Sequence, residues 1–84
     1  MRKIYHEILK QQFYNHIIHT RDDKHMTQAE MAQRLAMDDR SYIELDHGRF
    51  SCSAVTLALY LIYVCDKPQE FLNNLRQEFD AATK

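Results

Sequence analysis

Residues 27 to 48 contain two helix starts and a helix stop in quick succession, and no other stretch constrains the chain as much. Thr27 and Glu30 have the spacing of a capping box, in which each side chain satisfies an orphan backbone amide at the helix start. Met26 and Met31 stand where a hydrophobic staple would, and Met31, Ala32 and Leu35 make the buried side of the helix so begun. Asp38 is a good N-cap for the next helix, in which Tyr42 and Leu45 are spaced to face inward. Gly48 then supplies the left-handed residue that ends it.

The rest of the chain reads as helix too. One Gly and one Pro leave little punctuation for hairpins or long loops, and Leu, Gln, Ala, Glu and Arg are common. With 84 residues and 45% hydrophobic content, the chain makes a single domain, 1–84, with one core. No internal repeat, low-complexity tract or linker interrupts it.

A first helix is predicted over about residues 3–19, where Tyr5, Leu9, Phe13 and Ile17 recur every four residues and Ile4 and Ile8 widen the stripe. The run 21–25 has no apolar face, so the helix is expected to end there. A fourth helix follows Ser51 and runs to about Cys65. Leu57, Ala58, Leu61, Ile62 and Cys65 surround most of it, which makes it the central helix. Asp66 with Gln69, and Pro68 in the first turn, announce a fifth over 66–82, lined by Phe71, Leu72, Leu75 and Phe79. Those four either fold back on the first and fourth helices, with the extended first helix the obvious thing to cover, or form a homodimer surface.

Charge and composition narrow the function. The formal net charge is −1, with five basic against three acidic residues (+2) over 1–25 and one against four (−3) over 38–48. A basic surplus is the usual mark of a protein that grips phosphates, and here it is absent. Cys52 and Cys65 form no CxxC pair and read as reduced, mostly buried thiols. No apolar run suited to a signal peptide follows Met1, and residues 54–65 are about half of what spans a bilayer. The expectation is a cytoplasmic protein with no membrane partner.

Two short helices joined by three or four residues follow the helix-turn-helix plan. The stretch MTQAEMAQRLAMDDRSYIELDHGRFSCSAVTLALYL resembles the phage-repressor-like (XRE) helix-turn-helix family of DNA-binding transcriptional regulators. Thr27 and Gln28 open its second helix, Met31, Ala32 and Leu35 fill buried positions, and Tyr42 takes the place of the usual Ile. Leu45-Asp46-His47-Gly48 is similar to the family's Leu-Glu-x-Gly, and Ser51-Cys52-Ser53 to its Ser-Pro-Ser, with Cys52 replacing Pro. Thr56 and Leu57 match the start of the helix behind it. Arg21 occupies the place of an Arg that pairs with the acidic residue here represented by Asp46. Ala36 stands where the family prefers Gly, and a left-handed backbone there would cost ~1 kcal/mol. The match covers about 13–65, leaving 1–12 as an extension of the first helix and the fifth helix as this chain's own addition.

The resemblance implies an all-α fold, a compact five-helix bundle of the lambda-repressor-like DNA-binding type with the helix-turn-helix at helices two and three. It also implies sequence-specific binding of double-stranded DNA, with residues of about 39–47 in the major groove. Carried over by position, Asp39, Arg40 and Glu44 are candidate base readers, and Arg40 fits best because a guanidinium can donate two hydrogen bonds to guanine. Gln28, Ser41, Arg49 and Ser51 are candidate phosphate contacts, with Arg21, Lys24 and His25 adding positive charge nearby. Structural roles compete at each place. Asp38 and Asp39 suit the start of any helix, Gln28 suits any helix surface, Arg40 could pair with Glu44, and Arg21 with Asp46 reads foremost as a structural pair.

The alternative is a protein-protein interaction module, an antitoxin or phage-derived modulator. Asp38, Asp39, Glu44 and Asp46 against one Arg40 would repel phosphate. Enzyme chemistry has little support, with no nucleophile and base pair and no glycine-rich loop; no cofactor is implied. His16 and His19 share a helical face, and His25 follows, but without a positioned Cys or carboxylate they do not make a metal site. Dimerisation is expected of domains that read symmetric half-sites.

Overall fold

The computed structural model describes residues 2–48 and 53–83, and among these the chain forms five α-helices and no strand. They are α1 (Arg2–Asp23), α2 (Gln28–Arg34), α3 (Asp39–Asp46), α4 (Ala54–Leu59) and α5 (Pro68–Ala82). α4 continues directly into a π-helical turn, Tyr60–Val64. The 22 residues of α1 span about 33 Å at 1.5 Å per residue, which sets the 39 Å long axis of a molecule otherwise 24 by 20 Å. Every element gives buried apolar side chains to one core except α4 proper, whose Leu57 and Leu59 pack against it half-buried. Phe13 and Ile17 come from α1, and Met31 and Ala32 from α2, with Leu35 just past its end. Tyr42 and Leu45 come from α3, Tyr60 and Val64 from the π turn, and Phe71 and Leu75 from α5. None of the described helices is long and apolar enough to cross a membrane.

The helix starts expected at 27 and 38 form as their side chains dictate. The Thr27 hydroxyl accepts from the Glu30 amide at 3.1 Å, and the Glu30 carboxylate accepts from the Thr27 amide at 3.3 Å. Asp38 caps α3 by accepting from the Ser41 amide at 2.6 Å. That bond holds the Asp38 carboxyl below its usual pKa range.

Three helices end on a left-handed residue. His25 and Ala36 both have φ 54°, and Gly48 has φ 73°. After α2 the Ala36 amide donates to the Gln33 carbonyl at 3.1 Å and the Met37 amide to the Ala32 carbonyl at 2.9 Å, the paired bonds of a Schellman motif. The same pair closes α1, from His25 to Asp22 (3.2 Å) and from Met26 to Arg21 (2.9 Å). The strain expected at Ala36 is therefore present, and His25 repeats it. At Gly48 a Cβ would meet the Tyr14 ring at an ordinary 3.6 Å, so backbone conformation rather than space calls for glycine there.

Three expectations need correction. First, α1 does not stop near His19 but runs to Asp23. A polar run leaves helical hydrogen bonding intact, and only the left-handed His25 breaks it. Second, the fourth helix is not central. Its buried line is Thr56, Tyr60 and Val64, while Ala58 and Ile62 are exposed and Leu57, Leu61 and Cys65 only half-buried. Apolar residues on all sides could not say which side would be covered. Third, Asp66 and Gln69 make no capping box. Lys67 is the N-cap residue of α5, without a side-chain cap, and Pro68 begins the helix, where a missing N–H costs nothing. Asp66 instead takes the Lys24 ammonium at 2.9 Å, which also donates to the Val64 carbonyl at 3.0 Å.

Candidate nucleic-acid interface

The α2–α3 unit is organised around one carboxylate. Asp46, only 8% exposed, accepts from the Tyr42 hydroxyl at 2.9 Å on one oxygen. Its other oxygen accepts from the Gln28 amide at 2.9 Å and from the Arg21 guanidinium at 3.3 Å. A buried carboxylate is acceptor-only and needs such donors. Because they come from α1, α2 and α3 itself, they fix the rotation of α3 about its axis. Burial, and then the bond to Asp46, push the Tyr42 hydroxyl well above the usual tyrosine pKa.

With Tyr42, Leu45 and Asp46 turned in, helical periodicity turns Asp39, Arg40, Ile43 and His47 out, and all four are exposed. Among the described residues no ion pair joins Arg40 to Glu44. Glu44 is half-buried and has an interaction of its own. The four acids counted against phosphate binding thus fall into different classes. Asp46 is neutralised inside by Arg21, and Asp38 holds the helix start.

The remaining candidates scatter. Gln28 does not point its amide away from the protein, since Asp46 holds it. Ser41 is half-buried, with its amide on Asp38. Arg49, Ser51 and Cys52 lie outside the described residues. Lys24 is engaged with Val64 and Asp66, and His25 is exposed in the left-handed turn. Of the proposed dimer surface, Phe71 and Leu75 belong to the core, and Phe79 lies edge-on to Tyr5 with ring centroids 4.9 Å apart. Only Leu72 is exposed, so α5 turns most of that face toward α1. Cys65 is a free, half-buried thiol.

The two histidines on α1 part company. His19 pairs with Asp23 at 3.3 Å on the surface. His16 turns inward and hydrogen-bonds through Nδ1 to the Tyr60 hydroxyl, which also meets Thr20 Oγ1 at 2.8 Å. The His16 ring lies edge-on to Phe71, centroids 4.9 Å apart. Among the described residues no three His, Cys, Asp or Glu side chains gather as a metal site would require.

Two features escaped the sequence reading. Ile43 is an apolar residue on the outward side of α3, and its offset from Tyr42 and Leu45 was the available signal. Val55, Ile62 and Tyr63, on α4 and its π turn, are 69%, 68% and 65% exposed; Ile62 was expected to be covered, and nothing in the sequence marked the covered side. No protein-family model matches the chain, and no curated protein or solved structure does.

Proposed function

We propose that the chain is a sequence-specific DNA-binding transcriptional regulator of the lambda-repressor-like fold. In this reading α2, residues 35–38 and α3 form the helix-turn-helix, and α3 enters the major groove. The observation that carries it is the division of α3 by the Asp46 cluster: the buried acid is neutralised by Arg21, while Arg40 lies exposed with Asp39, Ile43 and His47 on the outward side. That division eases the charge objection by one acid, Asp46, while Asp38 and Asp39 stay exposed at the start of α3. Arg40 suits guanine and Asp39 can accept from the cytosine amino group. Gln28 acts as a positioning residue through Asp46. The left-handed Ala36 gives the turn the backbone that the family resemblance implies for this position.

Selection from a random duplex pool should return an enriched motif whose binding weakens steeply with salt. Arg40→Ala should lower affinity for that motif by about tenfold or more, the worth of a bidentate base contact. No enriched motif, with affinity unchanged in Arg40→Ala, would overturn the reading.

The strip of Val55, Ile62 and Tyr63 favours a second reading, the protein-interaction module. In that case Ile62→Asp should abolish a complex, homomeric or with another protein, that Arg40→Ala leaves intact. Sedimentation equilibrium of the two variants distinguishes them.

A further inference from the structure

Ile43 is the one large apolar residue on the outward side of α3, and it is 38% exposed. Single exposed isoleucines are commonplace, but this one sits in a particular place. It lies four residues after Asp39, three after Arg40 and four before His47, so the polar side chains of that face surround it. The core does not require it, because Tyr42, Leu45 and Asp46 fill the opposite side. Its own helix does not favour it either, since a β-branched residue is a poorer helix former than Ala, Leu or Glu.

The major groove offers hydrogen-bond donors and acceptors at every base pair, and one kind of apolar group, the methyl on C5 of thymine. Arg40 and Asp39 can answer donors and acceptors; Ile43 cannot, and a methyl group is what it can contact. A β-branched side chain in a helix is held largely in one χ1 rotamer, so Ile43 would meet that methyl with little ordering left to do. The same C5 methyl occurs on 5-methylcytosine.

We propose that Ile43 is a specificity-determining residue that reads the C5 methyl group of a pyrimidine beside the base pair contacted by Arg40. The proposal rests on the DNA-binding reading above and adds to it a ligand group that neither Arg40 nor Asp39 could recognise.

The test uses the full chain and a duplex selected from a random pool. Each thymine of the selected site is replaced in turn by uracil, which removes only the methyl. At one thymine of a half-site the wild type should bind about fourfold more weakly, the worth of one buried methyl group. Ile43→Ala should bind the thymine and uracil duplexes equally, with an unchanged circular dichroism spectrum. Replacing that thymine's pair by C·G should weaken wild-type binding, and 5-methylcytosine in the same place should recover part of the loss if the methyl alone is read. No recovery would contradict reading of the C5 methyl of a pyrimidine and overturn the inference. If the wild type binds its selected site and no uracil substitution matters, or if Ile43→Ala keeps the same discrimination, Ile43 reads no methyl group. If no site is enriched, the DNA-binding reading falls and this proposal falls with it.

Discussion

In α3 the Asp46 carboxylate gathers donors from three helices, whereas in the π turn the Tyr60 hydroxyl joins two side chains of α1. Both clusters anchor an element to α1, at Arg21 in one and at His16 and Thr20 in the other. The first is ionic and only accepts. The second is neutral, and a hydroxyl that both donates and accepts can be shared with an imidazole ring. Around the first lie the left-handed His25 and Ala36; the second half of the molecule has no positive-φ residue among those described. The difference divides the labour. The α2–α3 unit is held by charge in one orientation, as a groove-reading helix would need, and the α4–α5 half is held by aromatic packing around a titratable group.

Removing the acceptor should break the comparison most severely. Asp46→Ala leaves the fully buried Tyr42 hydroxyl, the Gln28 amide and the largely buried Arg21 charge without their partner. A loss of about 3 kcal/mol in unfolding free energy is expected, measured by urea denaturation. A loss under about 1 kcal/mol would mean that α3 is held by its apolar side alone.

Tyr60→Phe is the corresponding change in the other half and should cost less, about 1 kcal/mol. The phenyl ring keeps its edge-on contact with Phe13, and Thr20 and His16 are only half-buried, so water can replace the lost hydroxyl. If Tyr60→Phe costs as much as Asp46→Ala, the two clusters are equivalent and the division fails.

A third change sharpens the contrast in the opposite direction. Ala36→Gly removes the penalty of a Cβ in the left-handed region, offset in part by the greater freedom of glycine in the unfolded chain. A gain of about 0.5 to 1 kcal/mol is expected, visible as a higher denaturation midpoint. No gain would place the strain elsewhere.

How much of this could be read in the sequence follows from how local each cause is. The caps at Thr27 and Asp38 were legible because a helix start is decided within four residues. Ala36 and the pairing of Arg21 with Asp46 came through the family resemblance. The left-handed His25 was not legible, since histidine at a helix end carries no such signal. Gln28 on the first turn of α2 read as a phosphate contact or a plain surface residue, because its acceptor belongs to another helix. The orientation of the fourth helix was hidden for the same reason. It is set by Tyr60 meeting His16 at a sequence separation of 44. Nothing within the run from Ala54 to Val64 records that meeting, and Val55, Ile62 and Tyr63 are as apolar as the residues that are covered.

The smallest expected effect is the one that depends on protons. Burial first, and then the neighbouring His19, lower the pKa of His16 from its ordinary 6.5, while Glu70 on α5 pulls it back up. Burial also keeps the Tyr60 hydroxyl protonated by raising its pKa, so the titrating partner in this cluster is the imidazole. For a base whose folded pKa lies below its unfolded one, the unfolded chain binds more protons between the two values, and stability rises with pH there. The contribution of His16 is therefore complete above 6.5 and is lost as pH falls from 6.5 toward the lowered value. Denaturation midpoints at about pH 7.5 and about pH 5.5 should show a larger acid loss in wild type than in His16→Gln, which has nothing to titrate at that position. The loss should also be regional. Amide exchange should quicken in the π turn and α5, the elements that His16 touches, before it quickens in α2 and α3, where Asp46 is the anchor. Equal acid losses in the two proteins, or exchange that quickens uniformly, would show that the two halves answer to pH as one.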